Sequence, residues 1–551
     1  MRRKIVIIGG VAGGAACATR LRRLNEDDEI TMIEKGEYIS FANCALPYYI
    51  GGVIEGLDEI IIQTPKEFEE RFNIKVHTLT EAIKIDRERK RVVLKDLRNS
   101  SLSEIEYDIL ILSPGAFPLR PPLPGIDDER IFTLRTISDG DRIKKYIENH
   151  RPKEAVVVGG GFIGLEVSEN LTRRGIKTTI IEKLTQVMPN LDPEIARILE
   201  RHAVSHNVGL KLGSGITGFE RANNRLVSLL ENGEKISSDM AILAIGIRPE
   251  TKIARDAGID TEKNGAIIVD QEMRTSDPNI FAIGDAVVTK NPITDTKWGI
   301  ALAGPAAKQA RVVADAINNR NSSYAGAIGT SVVKFFELTV ASVGCSEKYL
   351  NANQITYSKC YIHPFDHASY YPGATPMTIK LIFNNENGKI YGGEIVGTKG
   401  VDKRIDVIAS AIHAGLSVME LKDLDLAYAP PYGSSKDPVN MAALVASNIV
   451  EGLSEVVHWH DIPSILQDGE NYLLLDVRTD AERALGTIEG SSHIPIDKLR
   501  ANLNKLPKDK TIVVFCQVGY RGYLAERILK QHGYKVKNLS GGYKTYIESI
   551  G

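Results

Sequence analysis

Two cysteines stand where a thiol can become reactive. Cys516 follows the apolar run Thr511 to Phe515 and opens Cys516-Gln517-Val518-Gly519-Tyr520-Arg521-Gly522, ahead of a helical pattern from Tyr523 to Gln531. A loop between strand and helix can wrap backbone N–H groups around an anionic sulfur, while the helix N-terminus and Arg521 lower the thiol pKa. Cys44 lies in Ser40-Phe41-Ala42-Asn43-Cys44-Ala45-Leu46-Pro47-Tyr48-Tyr49, at the expected start of a helix, which again favours the thiolate. The position five on from Cys44 is Tyr49, so a CxxxxC disulfide is excluded. Cys44 must then pair with an external thiol or be oxidised to a sulfenic acid. The other three cysteines, Cys17, Cys345 and Cys360, read as packing residues. Five widely spaced cysteines suit neither a disulfide framework nor a CxxC metal site, so no metal is expected and the setting reads as reducing cytoplasm.

The elements that must position these thiols repeat. Lys4 to Gly9, Gly10 to Leu24 and Glu29 to Glu34 read as strand, helix and strand, and the pattern returns at Ala155 to Gly159, Phe162 to Arg174 and Lys177 to Glu182. In the second unit Gly159, Gly161 and Gly164 form GxGxxG around Phe162 and Ile163, directly after a strand and at the head of a helix. The three glycines serve a tight turn, close approach of backbone to pyrophosphate, and helix–strand packing. Glu182, at the end of the next strand, is placed to hydrogen-bond a ribose 2′-hydroxyl and repel a 2′-phosphate, so NADH is expected over NADPH. The first unit is less regular: Gly9, Val11, Ala12 and Gly13, with Glu34 and Lys35 after the second strand. Asp108 to Ser113 runs into Pro114-Gly115, and Ala241 to Ala244 leads into Ile245-Gly246 in the corresponding place of the second unit.

Length and charge bound the rest. A chain of 551 residues holds three or four domains at about 150 residues each. A net charge of -2 lacks the basic field of a nucleic-acid binder, so an anionic ligand needs a local cluster. Arg20 and Arg23, at i and i+3 on the first helix, offer one. No run reaches the ~18 apolar residues that span a bilayer. The stretch Ile5 to Ala18 is broken by four glycines and reads as strand–turn–helix rather than a secretory leader.

The order glycine motif, Ser113-Pro114-Gly115, second glycine motif, Ala244 to Pro249 (AIGIRP) and Ala282 to Asp285 (AIGD) resembles the two-dinucleotide-fold FAD/NAD(P)H disulfide reductases over residues 1 to about 450. Ser40 to Cys44 followed by Leu46 to Gly52 resembles the coenzyme A disulfide reductases within them. From about Ser454 the Cys516 loop, Asp476-Val477-Arg478, Gly486 with His493-Ile494-Pro495, and Leu539 to Tyr543 resemble a rhodanese. The expected fold is α/β: an FAD-binding domain over 1–150 and 247–325, an NADH-binding domain over 151–246, an α+β dimerisation domain over 326–453, and a rhodanese domain over 454–551. The resemblance implies FAD against Gly9, Val11, Ala12, Gly13, Glu34, Lys35, Asn43, Ser113, Pro114, Gly115, Gly284, Asp285, Leu302, Ala303 and Pro305. It implies NADH against Gly159, Gly161, Phe162, Ile163, Gly164, Glu182 and Gly246.

Coenzyme A, as substrate or as a mixed disulfide on Cys44, is implied near Ser40, Asn43, Arg20 and Arg23, with Arg71 as an addition. In that family two tyrosines of the partner subunit reach the redox cysteine, which here selects Tyr370 and Tyr428, with Tyr371 and Tyr432 as alternatives in the same segments. The fusion as a whole resembles NADH-dependent persulfide reductases: a homodimer reducing coenzyme A persulfides, polysulfides or coenzyme A disulfide at Cys44, with Cys516 carrying sulfane sulfur. Two other readings are an NADH oxidase or peroxidase using a Cys44 sulfenic acid, weakened by Ala12 where that branch has histidine, and a non-catalytic redox sensor or sulfur-carrier scaffold.

Overall fold

The computed structural model describes residues 2–550. The chain divides into two compact units, one built from residues up to 185 and 207–329, the other from 186–206 and those from 330 onward. Among the described residues no helix is long and apolar enough to cross a membrane.

The first unit holds two five-stranded parallel sheets. One runs Ile280–Ala282, Ile109–Leu112, Lys4–Ile8, Glu29–Ile33, Lys75–His77; the other runs Gly209–Lys211, Lys177–Ile181, Glu154–Val158, Met240–Leu243, Ile131–Thr133. Their central strands are runs of Ile and Val buried along nearly their whole length, and each packs in one core with a three-stranded antiparallel sheet, the first against Ile85, Val92 and Leu94 and the second against Phe219, Leu226 and Leu230. Each first strand ends in a glycine with positive φ, Gly9 at 98° and Gly159 at 106°. A Cβ on Gly9 would lie 2.0 Å from the Ser113 carbonyl oxygen, and one on Gly159 would lie 2.3 Å from that of Ala244, so both turns exclude a side chain.

The second unit pairs an antiparallel sheet, ordered Ser331–Phe335, Leu338–Gly344, Ile390–Gly397, Met377–Phe383, Ser358–Ile362, with a parallel one ordered Val456–Val457, Lys535–Leu539, Thr511–Phe515, Tyr472–Asp476, Ser492–His493. The helix Pro193–Ser205 leaves the second nucleotide-binding half and belongs to this unit. Its anchor is a buried ion cluster: the fully buried Lys380 ammonium meets Asp192 Oδ2 at 2.7 Å, Glu194 Oε1 at 2.5 Å and a Glu347 carboxylate oxygen. Burial alone would lower the Lys380 pKa, but Tyr361, Glu194, Asp192 and Glu347 outweigh it and keep the ammonium charged. For Glu347 burial likewise opposes the outcome, and Lys380 with Lys359 holds the carboxyl at about 2.

Candidate active site

Both glycine loops open a helix whose first turn has no side-chain cap: Ala12–Leu24 after Val11, and Phe162–Arg173 after Gly161. Free N–H groups at a helix N-terminus suit a pyrophosphate. A Cβ on Gly161 would meet nothing within 4 Å, so that turn opens outward, whereas one on Gly164 would lie 1.9 Å from the Gly159 carbonyl oxygen. The acid of each unit closes on its own loop. Glu34 accepts from Gly10 N at 2.7 Å and Gly36 N at 2.7 Å; Glu182 accepts from Gly160 N at 2.7 Å and Leu184 N at 2.8 Å. Phe162 and Ile163 begin the second helix, and Gly246, with φ 111°, follows the strand Met240–Leu243.

Around the first loop Ser113 packs against Gly13, and Pro114 leads into Gly115 at φ 71°. Gly284 donates to Gln309 Oε1 at 2.7 Å, and Asp285 follows in a 3₁₀ turn. Leu302 caps the helix Ala303–Ile317, which carries Pro305 in its first turn. Lys35 is exposed and paired with Glu81 at 2.9 Å.

Cys44 sits in the 3₁₀ turn Asn43–Ala45, and the helix Leu46–Gly51 follows. That helix rests on the second glycine helix: Arg174 Nη1 donates to the Ile50 carbonyl at 2.9 Å, and a Cβ on Gly51 would strike Asn170. The thiol is exposed and donates to Asn43 Oδ1 at 3.7 Å. Its pKa lies above the ordinary thiol value, a correction to the expectation of a thiolate. Desolvation is the largest cause, the charge of Glu166 adds to it, and Arg135 opposes.

Three residues that the sequence reading missed therefore set the chemistry here. Glu166 accepts from Tyr48 Oη at 3.2 Å, and burial pushes its carboxyl up from 4.5 to about 7. Arg135 pairs with Asp285 at 3.0 Å. Glu166 was legible only as an acid two residues after Gly164, inside an apolar helix start. Because its folded carboxyl holds the proton more tightly than an unfolded one at 4.5, its stabilising effect is complete below 4.5 and lost as pH rises through about 7. Glu166→Gln is accordingly expected to match the natural protein near pH 4 and to exceed it by on the order of 2 kcal/mol at pH 8. Denaturant melts at both pH values check this, and equal stabilities at pH 8 would contradict it.

The implied coenzyme A residues are placed unevenly. Arg23 and Arg71 are exposed, and Ser40 turns the chain with φ 46°. Arg20 instead holds Asp315 of the helix Ala303–Ile317 at 2.5 Å, a partner that the helix-face reading did not foresee.

In the second unit the Tyr370 and Tyr428 hydroxyls meet at 2.8 Å, 74% and 47% exposed. Tyr371 packs edge-on against His367, and Tyr432 is exposed. Cys516 is fully buried at the end of Thr511–Phe515, and Gly519 N donates to its sulfur at 3.2 Å. The following helix begins at Tyr520, three residues earlier than expected, so Arg521 lies in its first turn. Its guanidinium is gripped by Glu482 at 2.8 and 2.5 Å, and Arg521 is the largest cause holding the Glu482 carboxyl at about 2. Glu482 was missed too, although Thr479-x-x-Glu482 is a capping-box spacing. Arg478 is buried on Asp476 at 2.8 Å.

Family models match residues 3–310 as a pyridine nucleotide-disulphide oxidoreductase, 330–437 as its dimerisation domain and 464–549 as a rhodanese-like domain. The coenzyme A disulfide reductase of Staphylococcus haemolyticus is 36% identical over 81% of this chain and 100% of its own. Among solved structures, reduced Bacillus anthracis CoADR-RHD superposes with a TM-score of 0.98 at 49% identity, covering 100% of this chain and 98% of that one. A NAD-dependent persulfide reductase from A. fulgidus superposes with a TM-score of 0.91 at 37% identity, covering 98% and 100%. The family implies FAD and NAD(P)H, and the uncapped helices, with the open turn at Gly161, fit two dinucleotides. Matched over more than half its length, the chain belongs to the pyridine nucleotide-disulphide oxidoreductases and carries a rhodanese domain at its C-terminal end.

Proposed function

We propose that this enzyme reduces sulfane sulfur on coenzyme A at the expense of NADH and releases sulfide. The observation that carries the reading is that Cys44 is exposed and outside any disulfide, while Cys17, Cys345, Cys360 and Cys516 are buried. The names of the coenzyme A disulfide reductase and persulfide reductase relatives support a thiol or persulfide as that partner. Glu182 on the second glycine loop supports NADH over NADPH.

FAD, held along the first glycine loop by Gly9 to Gly13 and Glu34, would when bound supply the two-electron path from nicotinamide to sulfur. In the resting state Cys44 is held in a disulfide with coenzyme A. Two electrons break that bond, coenzyme A leaves as a thiol, and Cys44 remains as the thiolate. Cys44 then attacks the inner sulfur of coenzyme A persulfide, the disulfide reforms, and the outer sulfur departs as hydrosulfide. The balance is NADH + CoA-SSH → NAD⁺ + CoA-SH + HS⁻. Glu166, held by the Tyr48 hydroxyl, accepts the proton that Cys44 exchanges, and the Tyr370 and Tyr428 hydroxyls, reaching Cys44 from the partner subunit of a homodimer, donate to the departing sulfur. Arg23, Arg71, Ser40 and Asn43 hold the coenzyme, joined by Arg20 where the nucleotide phosphates displace Asp315.

Cys516 carries sulfur toward the same coenzyme, with the Gly519 N–H donating to its sulfur. Anaerobic turnover of NADH with coenzyme A persulfide is expected to yield one sulfide per NADH, faster with NADH than with NADPH. Dependence on oxygen would instead mark an oxidase, and absence of turnover a sensor. Cys516→Ser is expected to slow turnover fed by polysulfide roughly tenfold or more while leaving turnover of coenzyme A persulfide in place; undiminished polysulfide turnover would remove the rhodanese step.

A further inference from the structure

A cluster away from the sulfur chemistry joins the end of the helix Pro193–Ser205 to the hairpin of Ser331–Phe335 and Leu338–Gly344. His202 and His206 stand at i and i+4, one turn apart on one face, with ring centroids 4.3 Å apart. Glu337 reaches both from the hairpin turn, its Oε2 lying 3.3 Å from His202 Nε2 and 2.8 Å from His206 Nε2. We propose that His202, His206 and Glu337 bind a divalent transition-metal ion, zinc by preference, stapling this helix to the hairpin.

Four observations carry this. All three ligand atoms lie within 4.8 Å of one another, and the 3.3 Å separation equals the spacing of about 3.3 Å between donors around a tetrahedral zinc with bonds near 2.0–2.1 Å. His206 Nδ1 lies 2.9 Å from the His202 carbonyl oxygen, so that nitrogen carries its proton and Nε2 is the one presented to Glu337. His206 Nε2 and Glu337 Oε2, 2.8 Å apart, are both donor atoms of the kind zinc takes. The hairpin is also built to hold the carboxylate in place. Phe336 takes φ 51° at the first central position of a two-residue turn, where glycine is the usual occupant, and its ring stacks on His206 at 4.0 Å and 17°.

Two imidazoles and one carboxylate select zinc, copper, nickel or cobalt over magnesium or calcium. Glu337 is 63% exposed and His206 27%, which leaves an entry path and a fourth position for water. This inference does not depend on the reading of Cys44 or Cys516.

The test uses the full-length holoenzyme, stripped with a chelator and then titrated with zinc chloride by equilibrium dialysis. One equivalent is expected to bind and to raise the melting temperature, with X-ray absorption at the zinc edge reporting only nitrogen and oxygen neighbours. His206→Ala and Glu337→Gln are each expected to weaken binding about tenfold or more and to abolish the thermal shift. Sulfur neighbours would place the metal on the cysteines and overturn the proposal. So would unchanged affinity in both variants, or no bound equivalent.

Discussion

Cys44→Ser is expected to lower NADH-driven reduction of coenzyme A persulfide by roughly 10³-fold or more, the scale on which removal of a covalent nucleophile is felt. The reason is steric as well as chemical. Cys17, Cys345, Cys360 and Cys516 are buried, so none can take over as the acceptor of an external thiol at this position. Serine keeps the size of the side chain and the 3₁₀ turn Asn43–Ala45, so loss of activity without loss of folding isolates the sulfur. Two readouts separate this from a general defect. Reduction of bound flavin by NADH should persist, and an adduct of coenzyme A mass, released by dithiothreitol, should be present on the natural protein and missing from the variant. Persulfide turnover within about tenfold of the natural enzyme would exclude Cys44 as the reacting group.

The largest effect on stability is expected at Lys380. Methionine there matches the length of the stem but leaves Asp192 and Glu194 without their cation, beside a Glu347 that keeps only Lys359, in a buried site. Breaking a buried ion cluster in this way costs about 3–5 kcal/mol. For a unit of this size that corresponds to a fall of roughly 10 °C in its melting temperature. Calorimetry should show the transition of the second unit move while that of the first stays. Adding Glu194→Gln to Lys380→Met should recover part of the loss, since it removes one uncompensated charge. A single variant that melts within about 2 °C of the natural protein would mean that the acids protonate at little cost.

The parts of this molecule dictated by backbone geometry were open to reading from residues alone. Gly9, Gly159 and Gly164 stand where a Cβ has no room, and such positions leave glycine in the sequence whatever surrounds them. Cys516 with Arg521 was legible for a similar reason, because strand, loop and helix follow one another without interruption. The residues that escaped are those whose partners are far away along the chain. Arg20 looked like one face of a charged helix, but its acid, Asp315, is 295 residues on. Glu166 acts on Cys44 and Tyr48 across the seam between two nucleotide-binding halves, and no local pattern marks that meeting. The state of the Cys44 thiol was misread because a helix start is visible in sequence while the desolvation that opposes it is not. Resemblance alone singles out Tyr370 and Tyr428 over Tyr371 and Tyr432; what no local pattern marks is that their hydroxyls, 58 residues apart in the chain, meet at 2.8 Å.

The detachment of residues 186–206 from the nucleotide-binding half has a consequence for synthesis on the ribosome. Asp192 leaves the exit tunnel 188 residues before Lys380 does. At roughly 5–20 residues per second, that is an interval on the order of ten to forty seconds. Throughout it the helix Pro193–Ser205 presents acids that have no cation and an apolar face that has no sheet, while the flanking segments of the first unit are already free to fold around their own cores. The nascent chain must therefore hold this stretch out as an unfinished loop, and the arrival of strand Met377–Phe383 closes it.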